Sequence, residues 1–121
     1  MNLARLDITA LASLLRSRRV TPVEVVQASL ERIERLDSQL HCLTQVFADE
    51  ALARARQLAG ETPRGPLWGI PWIAKDVLAT RLGRTTCGSR LLEEFRSPYD
   101  AAVVQRLEES GAILLGKSNM D

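Results

Sequence analysis

Lys75 closes an apolar run, Ile70-Pro71-Trp72-Ile73-Ala74, and is followed at once by Asp76. The run has the length and composition of a buried strand, and the breakers Gly65, Pro66 and Gly69 precede it. The sequence therefore predicts that Lys75 emerges where a strand gives way to a loop. In α/β proteins that is where chemistry collects. An ammonium partly desolvated by Trp72 and Ile73 loses some preference for its charged form, and a lysine whose pKa falls can take a proton near neutrality. Lys75 is a candidate general base on this reading. The competing reading is a lysine snorkelling off a strand end, with Asp76 as a surface neighbour.

Other chemistry-bearing residues carry less. Arg84-Thr85-Thr86-Cys87-Gly88-Ser89 is a small-residue loop, dense in hydroxyls and backbone donors, that could hold polar substrate atoms. Composition alone favours an ordinary turn in which Thr85, Thr86 and Ser89 satisfy their own backbone or cap a helix near Arg90. His41 is the only histidine, with no second histidine or carboxylate at ligand spacing, which points to a structural or surface role. Gly111 to Ser118 matches the literal pattern of a phosphate-binding P-loop, but in inverted context: a helix precedes it and its middle residues are strand-like. Nucleotide binding is not expected there.

The elements that must position Lys75 follow from periodicity. Ile8, Leu11, Ala12 and Leu15 predict a short helix capped by Asp7 and ending in Arg16, Arg18 and Arg19, cations that suit a helix C-terminus. Thr21-Pro22-Val23-Glu24 is a capping box with proline at the first helical position, followed by a stripe of Val23, Val26, Leu30 and Ile33. The pair Glu31 and Arg35 suits the solvated side of that helix. Cys42 to Phe47 predicts a short strand, and Asp49 to Ala59 a third helix stopped by Gly60. A Gly/Pro-rich connector, 60–69, then delivers the chain to the central run, where Pro71 is awkward for a ladder. Asp100 is the expected N-cap of a helix with Val103, Val104 and Leu107 on one face, ended by Gly111, and Ala112 to Leu115 reads as the next strand. Helix followed at once by buried strand is the pattern of a sheet covered by helices.

Composition sets the outer limits. The 121 residues carry 16 basic and 15 acidic side chains, a net charge of +1 without blocks, so no basic footprint for nucleic acid is present. Cys42 and Cys87 lack metal spacing and come with no secretory signal, which predicts free thiols in a reducing compartment. No stretch approaches a membrane span, so a soluble cytoplasmic protein is the expectation.

Taken together, Gly65-Pro66-Leu67, Gly69-Ile70-Pro71, Lys75-Asp76, Thr85-Thr86 with Gly88-Ser89, Pro98 with Asp100-Ala101, and Gly111-Ala112 through Gly116-Lys117-Ser118-Asn119 resemble the amidase signature family. Within it, Arg84-Thr85-Thr86-Cys87, Ser97-Pro98-Tyr99-Asp100 and the closing Gly116-Lys117-Ser118-Asn119-Met120-Asp121 are most similar to the A subunits of tRNA-dependent amidotransferases. The resemblance implies an α/β fold, a mixed sheet covered by helices, of which this chain would be the incomplete N-terminal portion. Residues 1–60 would be a helical N-terminal region and 61–121 the start of the signature core. It also implies a serine, cis-serine, lysine triad with Lys75 as its lysine, hydrolysing glutamine to supply ammonia for converting Glu-tRNA(Gln) to Gln-tRNA(Gln). The implied partners are the amidotransferase B and C subunits, with tRNA met only through the complex and ATP and magnesium held by the partner subunit. No cofactor or metal is expected on this chain. The family's two serines lie in a Gly/Ser-rich segment beyond these residues, and none of Ser89, Ser97, Ser110 or Ser118 matches them. Alone, the chain is expected to be inactive and poorly soluble. A stand-alone amidase and a non-catalytic interaction module are the alternatives.

Overall fold

Capping side chains start the first two helices. In a computed structural model, which describes residues 2–120, the Asp7 carboxylate accepts the Ala10 N–H and opens α1 (Ile8–Arg16). Thr21 and Glu24 form the reciprocal capping box that opens α2 (Pro22–Leu40), with Pro22 in its first turn. Both starts agree with the sequence. The predicted stripe on α2 widens by one position, because Val25 is buried beside Val26 while Val23, Leu30 and Ile33 are partly buried. Arg18, in the left-handed region just past α1, donates to the Glu61 carbonyl, so it serves a chain connection as well as a helix end. His41 caps the C-terminus of α2 in a left-handed conformation, its N–H donating to Asp37 O. That is the structural role expected of it. α3 (Ala48–Ala59) stops at Gly60 as expected.

One mixed three-stranded sheet lies among these helices. Its strands are β1 (Leu43–Val46), β2 (Pro71–Lys75) and β3 (Ile113–Ser118), in the spatial order β1-β3-β2. β3 runs antiparallel to β1 and parallel to β2. β1 comes from the first sixty residues, so the helical region and the start of the core share one sheet. Pro71 occupies the first position of β2, where a missing N–H costs least, and the strand survives its proline. Leu11, Leu15, Val26 and Leu58 from the helices pack with Ile70, Ile113 and Leu115 as one core. Each such side chain contributes about 1.5–3 kcal/mol by leaving water.

Two expectations need correction. α4 spans Ala102–Glu109 and its N-cap is Ala101, not Asp100. Ala101 N–H donates to Ala79 O, and the Asp100 carboxylate accepts from Arg81 N–H at 2.7 Å, so the acidic group fastens a loop instead of the helix start. Of the predicted α4 stripe, Val104 is buried and Leu107 partly so, but Val103 is exposed. The second correction is β3, which begins one residue after the predicted Ala112 and runs three past Leu115, through Gly116, Lys117 and Ser118. Gly116 permits the extension: a Cβ there would run into the Gln45 carbonyl of β1. At the other end of the strand, Gly111 (φ +88°) turns the chain out of α4 with Trp68 against it.

Candidate active site

The register of β2 on β3 places two lysines at the same end of the sheet. Pro71 pairs with Ile113 and Trp72 with Leu114, then Ile73 pairs with Gly116, Ala74 with Lys117 and Lys75 with Ser118. The step from Leu114 to Gly116 is a bulge with one extra residue on β3. Side chains alternate along a strand, and the extra residue shifts that alternation by one. Trp72, Ala74, Leu114 and Lys117 therefore share one face. Ile73, Lys75, Ile113 and Ser118 share the other. Without the bulge, Lys117 would fall on the face of Ile113.

Lys75 is the last residue of β2, half-buried, at the strand-to-loop transition predicted for it. The predicted apolar screen around it does not form as expected. Trp72 lies on the opposite face, and Ile73, on the same face, is 41% exposed. An apolar groove of about 470 Å³ also involves Ile73, Trp72, Ile33, Leu36 and Leu6. Its polar lining is Ser29 and Arg32, and the Arg32 guanidinium already donates to Ala4 O. It offers few groups for chemistry.

Lys117 is the largest fully buried side chain among the described residues, with 0% exposure. Its Nζ lies 3.0 Å from Leu78 O, 3.0 Å from Thr80 Oγ1, 3.2 Å from Arg84 O and 3.1 Å from Thr85 Oγ1. The Asp76 carboxylate stands 3.6 Å away and is itself 1% exposed. Desolvation pushes the Lys117 pKa below the usual lysine range, while the nearby Asp76 charge pulls it back up. An acceptor-rich shell of this kind fits an ammonium: both carbonyls only accept, and the Thr80 hydroxyl donates its proton to Leu82 O.

The loop after Lys75 is built around that cation. Asp76 uses all its polar groups: its N–H donates to Ser118 O, its carbonyl accepts from Cys87 N–H, and its carboxylate accepts the Thr86 N–H and the Thr86 hydroxyl. Thr85 Oγ1 accepts from Thr80 N–H as well as from Lys117. Ser89 caps a short 3-10 turn by accepting from Leu91 N–H. Ser89 is thus a capping residue, and Thr85 and Thr86 bond within the loop to Thr80, Asp76 and Lys117. The P-loop look-alike is a strand in the structure, with Lys117 turned into the protein.

Read as sequence, Lys117 belongs to that look-alike and to the closing motif of the family resemblance, with no role of its own. A signal was available: of the 16 basic residues only two are lysines, Lys75 and Lys117, the rest being arginine. Two of the other serines weighed above are occupied locally. Ser97 Oγ donates to Tyr99 O and Ser110 Oγ to Leu107 O, while Ser118 lies in the ladder beside Lys75. Cys42 and Cys87 are exposed free thiols, and Cys42 donates to Asp37, which raises the pKa of the thiol. Among the described residues no group of three or more His, Cys, Asp or Glu could hold a metal, and no helix is long and apolar enough to cross a membrane. Asp121, the last residue of the closing motif, lies outside the described residues.

A mixed sheet carries one lysine at the end of a parallel strand and a second on the strand beside it, and residues 24–121 of the chain match the family model for amidases. The chain belongs to the amidase family. It is 45% identical over 116 residues to the A subunit of glutamyl-tRNA(Gln) amidotransferase from Oleidesulfovibrio alaskensis, covering 94% of this chain and 24% of that protein. With the protein of the same name from Methylococcus capsulatus it is 46% identical over 120 residues, covering 97% and 25%. Among solved structures, the native peptide amidase of Stenotrophomonas maltophilia superposes with a TM-score of 0.89 at 35% identity, over 97% of this chain and 25% of that one. The chain therefore spans about a quarter of the length of these relatives.

Proposed function

We propose that these residues supply the proton-handling lysine, Lys75, of an amide-hydrolysing site, and that the whole protein is the ammonia-producing subunit of a tRNA-dependent amidotransferase. The observation that carries this reading is the identity of about 45% to proteins of that name over nearly the whole chain, with Lys75 held at a strand end. In the serine, cis-serine, lysine arrangement that the family resemblance implies, Lys75 takes a proton from the bridging serine, which takes one from the nucleophilic serine. The nucleophile attacks the glutamine side-chain carbonyl, backbone amides hold the oxyanion, and the relay returns the proton to the departing ammonia. Water then hydrolyses the acyl-enzyme to glutamate. Both serines belong to parts of the family's length that these residues do not cover. ATP and magnesium would act on the partner subunit, which activates the misacylated tRNA, in the cytoplasm.

Glutamine hydrolysis by the intact protein with its partner subunits tests this. Lys75→Ala is expected to lower kcat by about a thousandfold or more, as loss of a relay member does. Retention of activity would contradict the role of Lys75, and a parent protein that hydrolyses no glutamine with its partners would favour the non-catalytic module. A stand-alone amidase is a second reading, favoured by the likeness to the peptide amidase. It predicts amide hydrolysis without partner subunits, whereas copurification with them and dependence on them would exclude it.

A further inference from the structure

Lys117 has no place in the relay above, yet the loop that follows Lys75 is assembled around it. Its acceptors come from both arms of that loop, Leu78 and Thr80 on the outgoing arm, Arg84 and Thr85 on the returning one. Lys75 stands between two clamped neighbours. Ala74 is fully buried and pairs with Lys117 in the ladder, and Asp76 has its N–H, carbonyl and carboxylate all engaged. A buried ion pair is weak evidence for stability, since an apolar replacement of like volume often serves as well. An apolar side chain, however, could donate to none of these acceptors and would leave the buried Asp76 carboxylate without a counter-charge.

We propose that Lys117 is a positioning residue for Lys75: its ammonium gathers the 76–88 loop onto one face of the sheet and so fixes Lys75, on the other face, in reacting geometry. This rests on the reading of Lys75 as the proton-handling lysine. The role is indirect, through Asp76 and the loop backbone, and Lys117 touches no substrate. Misplacing a reacting group by about 1 Å costs on the order of a hundredfold in rate, so the effect falls on kcat.

The test compares Lys117→Met, Thr85→Val and the control Lys75→Ala in the intact protein, measuring kcat and KM for glutamine per folded molecule and the rate of trace acetylation at Lys75. Lys117→Met is expected to lower kcat by about a hundredfold with KM within about threefold, and to change the acetylation rate of Lys75. Thr85→Val keeps volume and removes one acceptor, so it decides the matter if Lys117→Met does not fold. Its expected loss is about fivefold to tenfold in kcat, again with KM held. Unchanged kcat per folded molecule and unchanged Lys75 acetylation in Thr85→Val would overturn the inference. Activity surviving Lys75→Ala would instead overturn the parent reading.

Discussion

Two lysines sit one ladder step apart at the same end of one sheet, and the protein treats them oppositely. Lys75 is half-buried at a strand end, on the face it shares with Ile73 and Ser118. Lys117 is withdrawn from solvent into five oxygen partners. The difference does not come from apolar neighbours, since Lys75 follows the longer apolar run in the sequence. It comes from one extra residue in β3, which sets the face Lys117 takes, and from the hydroxyls and carbonyls waiting on that face. A buried charge is decided by its acceptors.

Removing the charge breaks the comparison most strongly. Lys117→Met leaves the buried Asp76 carboxylate without its counter-charge and Leu78 O without its Lys117 donor, and is expected to cost about 3–5 kcal/mol in urea unfolding. Lys75→Met should cost less than about 1 kcal/mol in the same experiment. Equal losses would mean that the two lysines are not distinguished by burial. Gly116→Ala attacks the geometry instead: the added methyl meets the Gln45 carbonyl, and a destabilisation of about 1–3 kcal/mol is expected. Thr85→Val, which strands the Thr80 N–H and takes one acceptor from Lys117, is expected to cost about 1–2 kcal/mol.

The smallest expected effect is on pH dependence. Burial lowers the Lys117 pKa from its ordinary value of 10.5, so between the folded value and 10.5 the unfolded chain binds more protons than the folded one. Stability from this group therefore rises with pH across that interval and is flat below it. The slope in alkaline urea titrations should be lower in Lys117→Met than in the parent protein. An identical slope would mean that Lys117 titrates alike in both states.

Much of the scaffold was readable because its signals are local. Asp7, the Thr21-Pro22-Val23-Glu24 box and Gly60 each act within a few residues, and each did in the fold what it does in a short peptide. The end of β2 at Lys75 was readable for the same reason, from the breakers before the run. A sheet covered by helices followed from helix and strand periods, while its mixed strand directions came only from the family resemblance. What the sequence hid depends on pairing between distant segments. Lys117 reaches Thr80 and Thr85 across more than thirty residues, and Asp100 reaches Arg81 across nineteen. The bulge that turns Lys117 inward exists only once β2 lies against β3. A lysine continuing an apolar run beyond Gly116 could have been read as strand, but its acceptors could not.

The most direct test of this division is native-state labelling of the two lysines, the only ones in these residues, with an amine-reactive acylating reagent read by peptide mass spectrometry. Lys75 is expected to be modified in the folded protein and Lys117 only after unfolding. Modification of Lys117 in the native state at a rate comparable to Lys75 would contradict this, and with it the claim that one lysine is presented and the other holds the site together.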